Sequence, residues 1–342
     1  MSNTIIISLI WLAAVGTAIV LVSFVIEAMR PIPAMPERLS WAPDIPIRYL
    51  TVNGIRLRYI HAGEGPTLVL LHTLRTQLDL FEKVIPELAK RFTVYAVDYP
   101  GHGYSDIPSA KYDAAFFADI TEGFLDALDL RDVTLAGVSI GGSISLMLAA
   151  RNHRRVARVV AINPYDYAKG RGMARSSFIA RIVVALADIP ILGETVMRMR
   201  QFPVMKSILD GGVADPDHIP PELLMEMYLL GNRRGHYRAF LSLLRNAESW
   251  ETARKSYSNL KIPVLLLWGD RDWSWPDERE HDRRIVPGAE MATVENGGHF
   301  LPLDRPDAVI EHLLAFQASV GYPAMSKNAA TADDLSTEER VR

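Results

Sequence analysis

From Tyr49 onward the chain repeatedly sets a short, almost wholly apolar run beside a longer amphipathic one. IRLRYIHAG, TLVLLHT, FTVYAVDYPGHGYS, DVTLAGVS and VARVVAINPYD read as strands, while LFEKVIPELAKR, AAFFADITEGFLDALDL and IGGSISLMLAARNH between them read as helices. Strands that are apolar on both faces must be covered on both faces, and parallel neighbours need a crossover that is usually a helix. The pattern predicts an α/β architecture, a mostly parallel central sheet flanked by helices. Strand signals stop between Tyr167 and Leu260, where Met, Leu and Pro recur and Tyr237, Phe240, Leu241 and Leu244 fall at helical i, i+3, i+4, i+7 spacing. The alternation resumes with IPVLLLWGDRD, AEMATVENGGH and a closing helix, DAVIEHLLAFQASV. The expected organisation is a core in two parts, residues 47–166 and 261–322, interrupted by a helical lid over 167–260.

The stretch from Thr4 to Ile26 has no charged residue and is apolar on every face. It exceeds the roughly 20 residues needed to span hydrocarbon. Residues 4–29 therefore read as a transmembrane helix; a cleaved signal peptide is disfavoured because no Lys or Arg precedes the run and its length exceeds an h-region of about 7 to 15 residues. Arg30, Arg38 and Arg48 follow the span, so the positive-inside rule predicts a membrane protein with its body on the cytoplasmic side. Residues 30–46, RPIPAMPERLSWAPDIP, read as a proline-rich extended linker, and residues 323–342 as a polar, disordered tail.

Composition removes several chemistries. With no cysteine there is no disulfide, thiolate metal site or Cys nucleophile. A formal net charge of −3 supplies no basic field, so no nucleic-acid partner is expected. No cluster of His, Asp and Glu has metal-ligand spacing, so neither metal nor cofactor is expected. Oligomeric state is left open.

LAGVSIGGSIS places Ser139 between Gly137 and Gly141, at the junction of an apolar strand and a helix. A serine held on such a sharp turn is a candidate nucleophile, and the Ile140 N–H at the helix N-terminus is a candidate oxyanion donor. A serine hydroxyl needs a base, and the base a carboxylate to orient it. His299 in VENGGHF, at the end of one expected strand, and Asp272 in LLLWGDRDW, at the end of another, supply both in the order Ser, Asp, His. Asp270 and the more distant Asp166 compete with Asp272; the alternative for either is loop capping or an ion pair with Arg271.

Together these motifs resemble the α/β-hydrolase superfamily, in its serine-nucleophile, lid-containing, esterase- and lipase-like branch. DYPGHGYSD (98–106) is similar to its D-x-P-G-x-G-x-S loop, GVSIGG to its nucleophile elbow, and WGDRDW and GGHF to its acid and histidine loops. The resemblance covers residues 48 to 320 and implies a lid inserted after the sixth core strand, with Ser139 as nucleophile, Asp272 as acid and His299 as base. Epoxide hydrolases and dehalogenases share the fold but use aspartate at the elbow, so Ser139 argues against those branches.

One loop departs from the family pattern. Where members usually carry His-Gly, this chain reads LLHTLRTQ, with Thr73 in the glycine's place. A β-branched residue resists positive φ, so the loop must take another path or carry strain. Leu74 is the candidate second oxyanion donor. Arg75 and Gln77 lie in the same loop; Arg75 either recognises a carboxylate or phosphate or pairs with Asp79. Trp273 either lines the acyl pocket or packs, and His72 and His102 read as structural.

The expected activity is hydrolysis of a carboxylic ester, with a hydrophobic small molecule as substrate, through an acyl-enzyme. Carbon–carbon bond hydrolysis, acyl transfer, or a catalytically silent, membrane-tethered binding protein are the alternatives.

Overall fold

The computed structural model describes residues 3–320, so the tail expected over 323–342 lies outside the described residues. Eight strands form one sheet: β1 (Ile47–Val52), β2 (Ile55–Ala62), β3 (Thr67–Leu71), β4 (Thr93–Val97), β5 (Val133–Val138), β6 (Val156–Ile162), β7 (Val264–Gly269) and β8 (Glu290–Val294). Their spatial order is β1-β2-β4-β3-β5-β6-β7-β8. β2 runs antiparallel to both of its neighbours, and every pairing from β4 to β8 is parallel. Every residue of β5 and β7 is buried, as uniformly apolar strands require. Burying one such Leu or Val contributes about 1.5–3 kcal/mol.

The helices before the lid are α1 (Asn3–Ala28), α2 (Ile85–Leu88), α3 (Ala114–Ala127) and α4 (Ile140–Ala150). Asp113 caps α3, its carboxylate accepting the Phe116 N–H at 2.9 Å. The segment LFEKVIPELAKR, expected as one helix, divides into a 3-10 turn over Leu78–Phe81 and the single turn of α2. Pro86 is the reason, since proline is tolerated only in a helix's first turn.

After β6 the chain leaves the sheet and folds α5 (Phe178–Ala187), α6 (Leu192–Arg198), α7 (Phe202–Asp210), α8 (Pro221–Gly231), α9 (His236–Arg245) and α10 (Glu248–Arg254) before β7. The remaining helices are α11 (Pro276–Ile285), α12 (Leu301–Asp304) and α13 (Pro306–Ser319).

α1 is long and apolar enough to cross a membrane, and its apolar length is unburied. Its last two turns are fastened to the lid. Ser23 and Glu27 are buried there; Arg198 donates to Ser23 Oγ at 3.0 Å, and Arg200 and the Gly235 N–H donate to the two Glu27 oxygens at 3.0 and 2.8 Å. Arg30 donates to the carbonyls of Arg198 and Arg200, and Arg234 to that of Ala28. Residues 30–46 form neither helix nor strand, yet they are held to the core by buried Leu39 and by Trp41, whose ring N–H donates to Asp79 at 2.7 Å.

Candidate active site

The candidate residues follow the carboxyl ends of β3, β5, β7 and β8, the side of an open parallel sheet at which ligands bind. Ser139 directly follows β5, and its backbone takes φ 58° and ψ −118°. Such a conformation in a non-glycine residue costs about 1–3 kcal/mol and must be enforced by its surroundings. Here the enforcement is visible: the Ser139 N–H donates to Ile162 O at 2.8 Å, and its carbonyl accepts from Ser143 N at 3.0 Å. The flanking glycines are needed for space. A Cβ on Gly137 would sit 2.1 Å from the Gly141 carbonyl carbon, and one on Gly141 would sit 2.2 Å from Leu71 O.

Asp272 follows β7 by three residues and His299 follows β8 by five, and the structure brings them together: Asp272 Oδ1 and His299 Nδ1 are 2.5 Å apart. Asp272 Oδ2 accepts from the Ser274 N–H at 2.8 Å and the Ser274 hydroxyl at 2.5 Å. Burial pushes the Asp272 carboxyl up, but His299 beside it and the Ser274 hydrogen bonds outweigh this and hold it below the usual carboxylate value. Ser139 Oγ and His299 Nε2 are both buried, and neither has a hydrogen-bond partner among the described residues.

The competing aspartates lie elsewhere. Asp270 is exposed and caps the turn before His299, accepting the Gly297 N–H at 3.1 Å, while Arg271 donates to Asn296. Asp166 is buried beside Asp282, with Arg254 2.6 Å from Asp282 and 3.9 Å from Asp166.

The loop after β3 resolves the Thr73 conflict by taking a different path. Thr73 is not among the residues with positive φ; Arg75, two positions later, has φ 60°. The Thr73 N–H is occupied by Thr76 Oγ1 at 3.2 Å. The N–H groups of Leu74 and Ile140 have no acceptor among the described residues and remain the candidate oxyanion donors. Gln77 is turned to Asp79, to which it donates at 3.1 Å. The alternative pairing of Arg75 with Asp79 does not form, because Asp79 is taken by Arg58, Gln77 and Trp41.

His72 and His102 are buried in the wall of the site. His72 Nε2 accepts the Tyr99 N–H at 2.9 Å, and burial lowers its pKa to about 4; His102 Nδ1 lies 3.0 Å from Pro100 O, and burial lowers its pKa to about 3. Both are neutral near pH 7 and hold loops. Among the described residues no group of three or more His, Asp or Glu side chains could hold a metal ion.

Of the two alternatives for Trp273, the structure shows packing, and it adds further supports around the site. Trp273 stacks face to face on the His299 ring at 3.7 Å, and its N–H donates to Gly211 O at 2.6 Å. Asn163, after β6, donates to the carbonyls of Gly298 and His299 and accepts from Gly269, tying the acid and histidine loops together. Asp304 accepts the Gly298 N–H and that of Ala214 in the lid, each at 2.7 Å. Arg58 is buried between Asp79 and Asp98, and Asp98 also accepts the Leu78 and Tyr104 N–H groups. Asp98 and Trp273 stand within the sequence motifs, but most of these contacts join residues far apart in sequence.

Between α1 and the lid helices lies a cavity of about 380 Å³, walled by Ile19 of α1, by Ile182, Leu192 and Met205 of the lid, and by Arg75.

The chain matches the Alpha/beta hydrolase family over residues 68–312. It is 26% identical over 296 residues to carboxylesterase YbfK of Bacillus subtilis, an alignment covering 85% of this chain and 94% of that one. It is 29% identical over 283 residues to a soluble epoxide hydrolase of Corynebacterium, covering 78% and 95%. The solved structure of a bacterial membrane phospholipase A shares the fold with a TM-score of 0.65 at 24% identity, covering 93% of this chain and 99% of that one. A strand–serine–helix turn, an aspartate–histidine pair and a lid between the sixth and seventh strands of a mostly parallel sheet are thus joined to a match across most of the chain, which belongs to the Alpha/beta hydrolase family.

Proposed function

We propose that the chain is a membrane-anchored serine hydrolase that cleaves a carboxylic ester of a hydrophobic small molecule. The observation that carries this reading is the strained Ser139 just past β5 together with a histidine just past β8 that a buried aspartate already holds, Oγ and Nε2 both being buried without a partner among the described residues. Asp272 accepts the Nδ1–H of His299, which leaves Nε2 free to take a proton. His299 removes the Ser139 hydroxyl proton as Oγ attacks the ester carbonyl, and the oxyanion accepts hydrogen bonds from the N–H groups of Ile140 and Leu74. His299 then protonates the departing alkoxide, which leaves Ser139 acylated. Water, deprotonated by His299, attacks the acyl-enzyme and releases the acid. Trp273 fixes the plane of the imidazole throughout.

Serine at the elbow, together with the carboxylesterase relative, supports ester hydrolysis over epoxide opening. The hydrophobic substrate is inferred from the apolar α1 and from lid side chains such as Phe178 and Ile191, which are 73% and 66% exposed. The body faces the cytoplasm, as the arginines after the span suggest, and protease access to sealed vesicles checks that orientation.

The test is labelling of the full chain in membranes with a fluorophosphonate, followed by p-nitrophenyl esters of increasing chain length. Labelling that disappears in Ser139→Ala, with a preference for long acyl chains, is the expected result. A folded wild type that resists the probe overturns the serine mechanism, and a wide preference for acetate overturns the hydrophobic substrate.

A further inference from the structure

The mechanism leaves Arg75 without a task. Its side chain runs from the loop after β3 to the cavity between α1 and the lid helices, where its guanidinium lies 4.7 Å from the centre of the Phe240 ring. It packs against Gly231, where a Cβ would stand 3.2 Å from Nη2. No carboxylate and no hydrogen-bond acceptor among the described residues meets it. The nearby charges are cations: Arg200, itself held by Glu27, and Arg30. Burial, then Arg200 and Arg30, lower the Arg75 pKa to about 9, so the side chain is still charged near neutrality.

A partly buried cation without a counter-charge is unfavourable, and a planar guanidinium is suited to a two-point contact with a carboxylate or phosphate. The rest of the wall is mostly aliphatic, with Ile182, Leu192, Val204 and Met205 on the lid side, and includes Arg200. Ile19 belongs to the anchor helix, so the cavity borders the element expected to lie in the bilayer. An apolar space with two arginines on its wall, Arg200 paired with Glu27 and Arg75 meeting no carboxylate among the described residues, is complementary to a lipid-like molecule bearing one negative group.

We infer that this cavity binds an amphiphilic anion, an apolar chain carrying one carboxylate or phosphate, and that Arg75 receives the charge. This assigns a substrate or product class to the site proposed above and rests on that reading. The Phe240 ring holds the guanidinium from one side and leaves its N–H edge for the anion.

The experiment uses the full chain as Ser139→Ala, so that nothing is turned over, in neutral maltoside micelles. Calorimetry compares dodecyl phosphate, dodecanoate and dodecanol. The two anions should bind about 10- to 100-fold more tightly than the alcohol, as expected for a hydrogen bond between charged groups. Arg75→Gln should remove that difference while dodecanol still binds, and Arg75→Lys should restore part of it. Tighter binding of dodecyl phosphate would identify a phosphate headgroup as the source, and tighter binding of dodecanoate a fatty-acid carboxylate. Equal affinity for all three in the Arg75 protein, or anion selectivity that survives Arg75→Gln, overturns the inference. Selectivity retained by a chain that hydrolyses no ester supports the anion site while removing the function proposed above.

Discussion

Two arginines reach the interior from neighbouring parts of the fold and end in opposite electrostatic states. Arg58, on β2, lies between Asp79 and Asp98 and is fully buried; its neighbours more than offset the cost of burial and raise its pKa. Arg75, in the loop after β3, lies among aliphatic side chains and other cations, and its pKa falls. Burial disfavours a charge in both places. The difference is that the chain supplies the counter-charge for Arg58 and leaves that of Arg75 to a ligand. The same contrast separates the proposed triad, whose Asp272 and His299 satisfy each other, from the lid cavity.

The largest effect should come from the self-sufficient region. Ser139→Ala or His299→Ala should lower ester turnover by about 10³-fold or more, since members of a triad act as one unit. Steady-state rates with a long-chain p-nitrophenyl ester check this, alongside a melting curve showing that the variant folds. Asp272→Asn belongs with them, because it removes the acceptor that fixes the tautomer of His299.

Next comes the stability contrast itself. Arg58→Gln leaves two buried carboxylates facing each other and should cost about 3–5 kcal/mol, read from urea midpoints. Arg75→Gln, measured in the same way without ligand, should cost nothing or stabilise. If the two variants lost equal stability, the distinction drawn between these regions would fail.

A smaller effect is expected where α1 meets the lid. Glu27→Gln weakens the contact with Arg200, and the unpaired Arg200 should cost about 1–3 kcal/mol. Proteolysis should then cut between α1 and β1 at lower protease concentrations than in the wild type. Unchanged cleavage would show that α1 is held by apolar packing alone.

The smallest effect is one of pH. Burial pushes the Asp166 carboxyl above its usual range, and Asp282 beside it is pushed further in the same direction. The folded state therefore keeps a proton that the unfolded chain loses near pH 4, so stability present below that pH is lost as the pH rises through the folded value. Asp166→Asn should flatten the decline in urea midpoint from pH 5 to pH 8. A decline of unchanged slope would place the proton elsewhere.

Strands, the elbow and the order Ser139, Asp272, His299 were legible in the sequence because each depends on neighbours within a few residues: an apolar run, two glycines around a serine, an aspartate or histidine just past a strand. The 3-10 break before Pro86 also follows from a local rule, the confinement of proline to a helix's first turn, although helical periodicity runs across it. Trp273 on His299, Asn163 between two loops and the Arg58 cluster were not legible, because their partners meet only when distant strands lie side by side.

The sequence by itself determined an α/β sheet with an apolar amino-terminal helix and a serine on a strained turn, through short-range periodicity and sterics. The tertiary structure decided which aspartate faces His299, that Thr73 passes the positive φ on to Arg75, and that Asp79 goes to Arg58. Those outcomes rest on distance between side chains remote in sequence. Electrostatic pairing falls off over a few ångströms, so only the folded geometry assigns one carboxylate to one cation and leaves another cation without any.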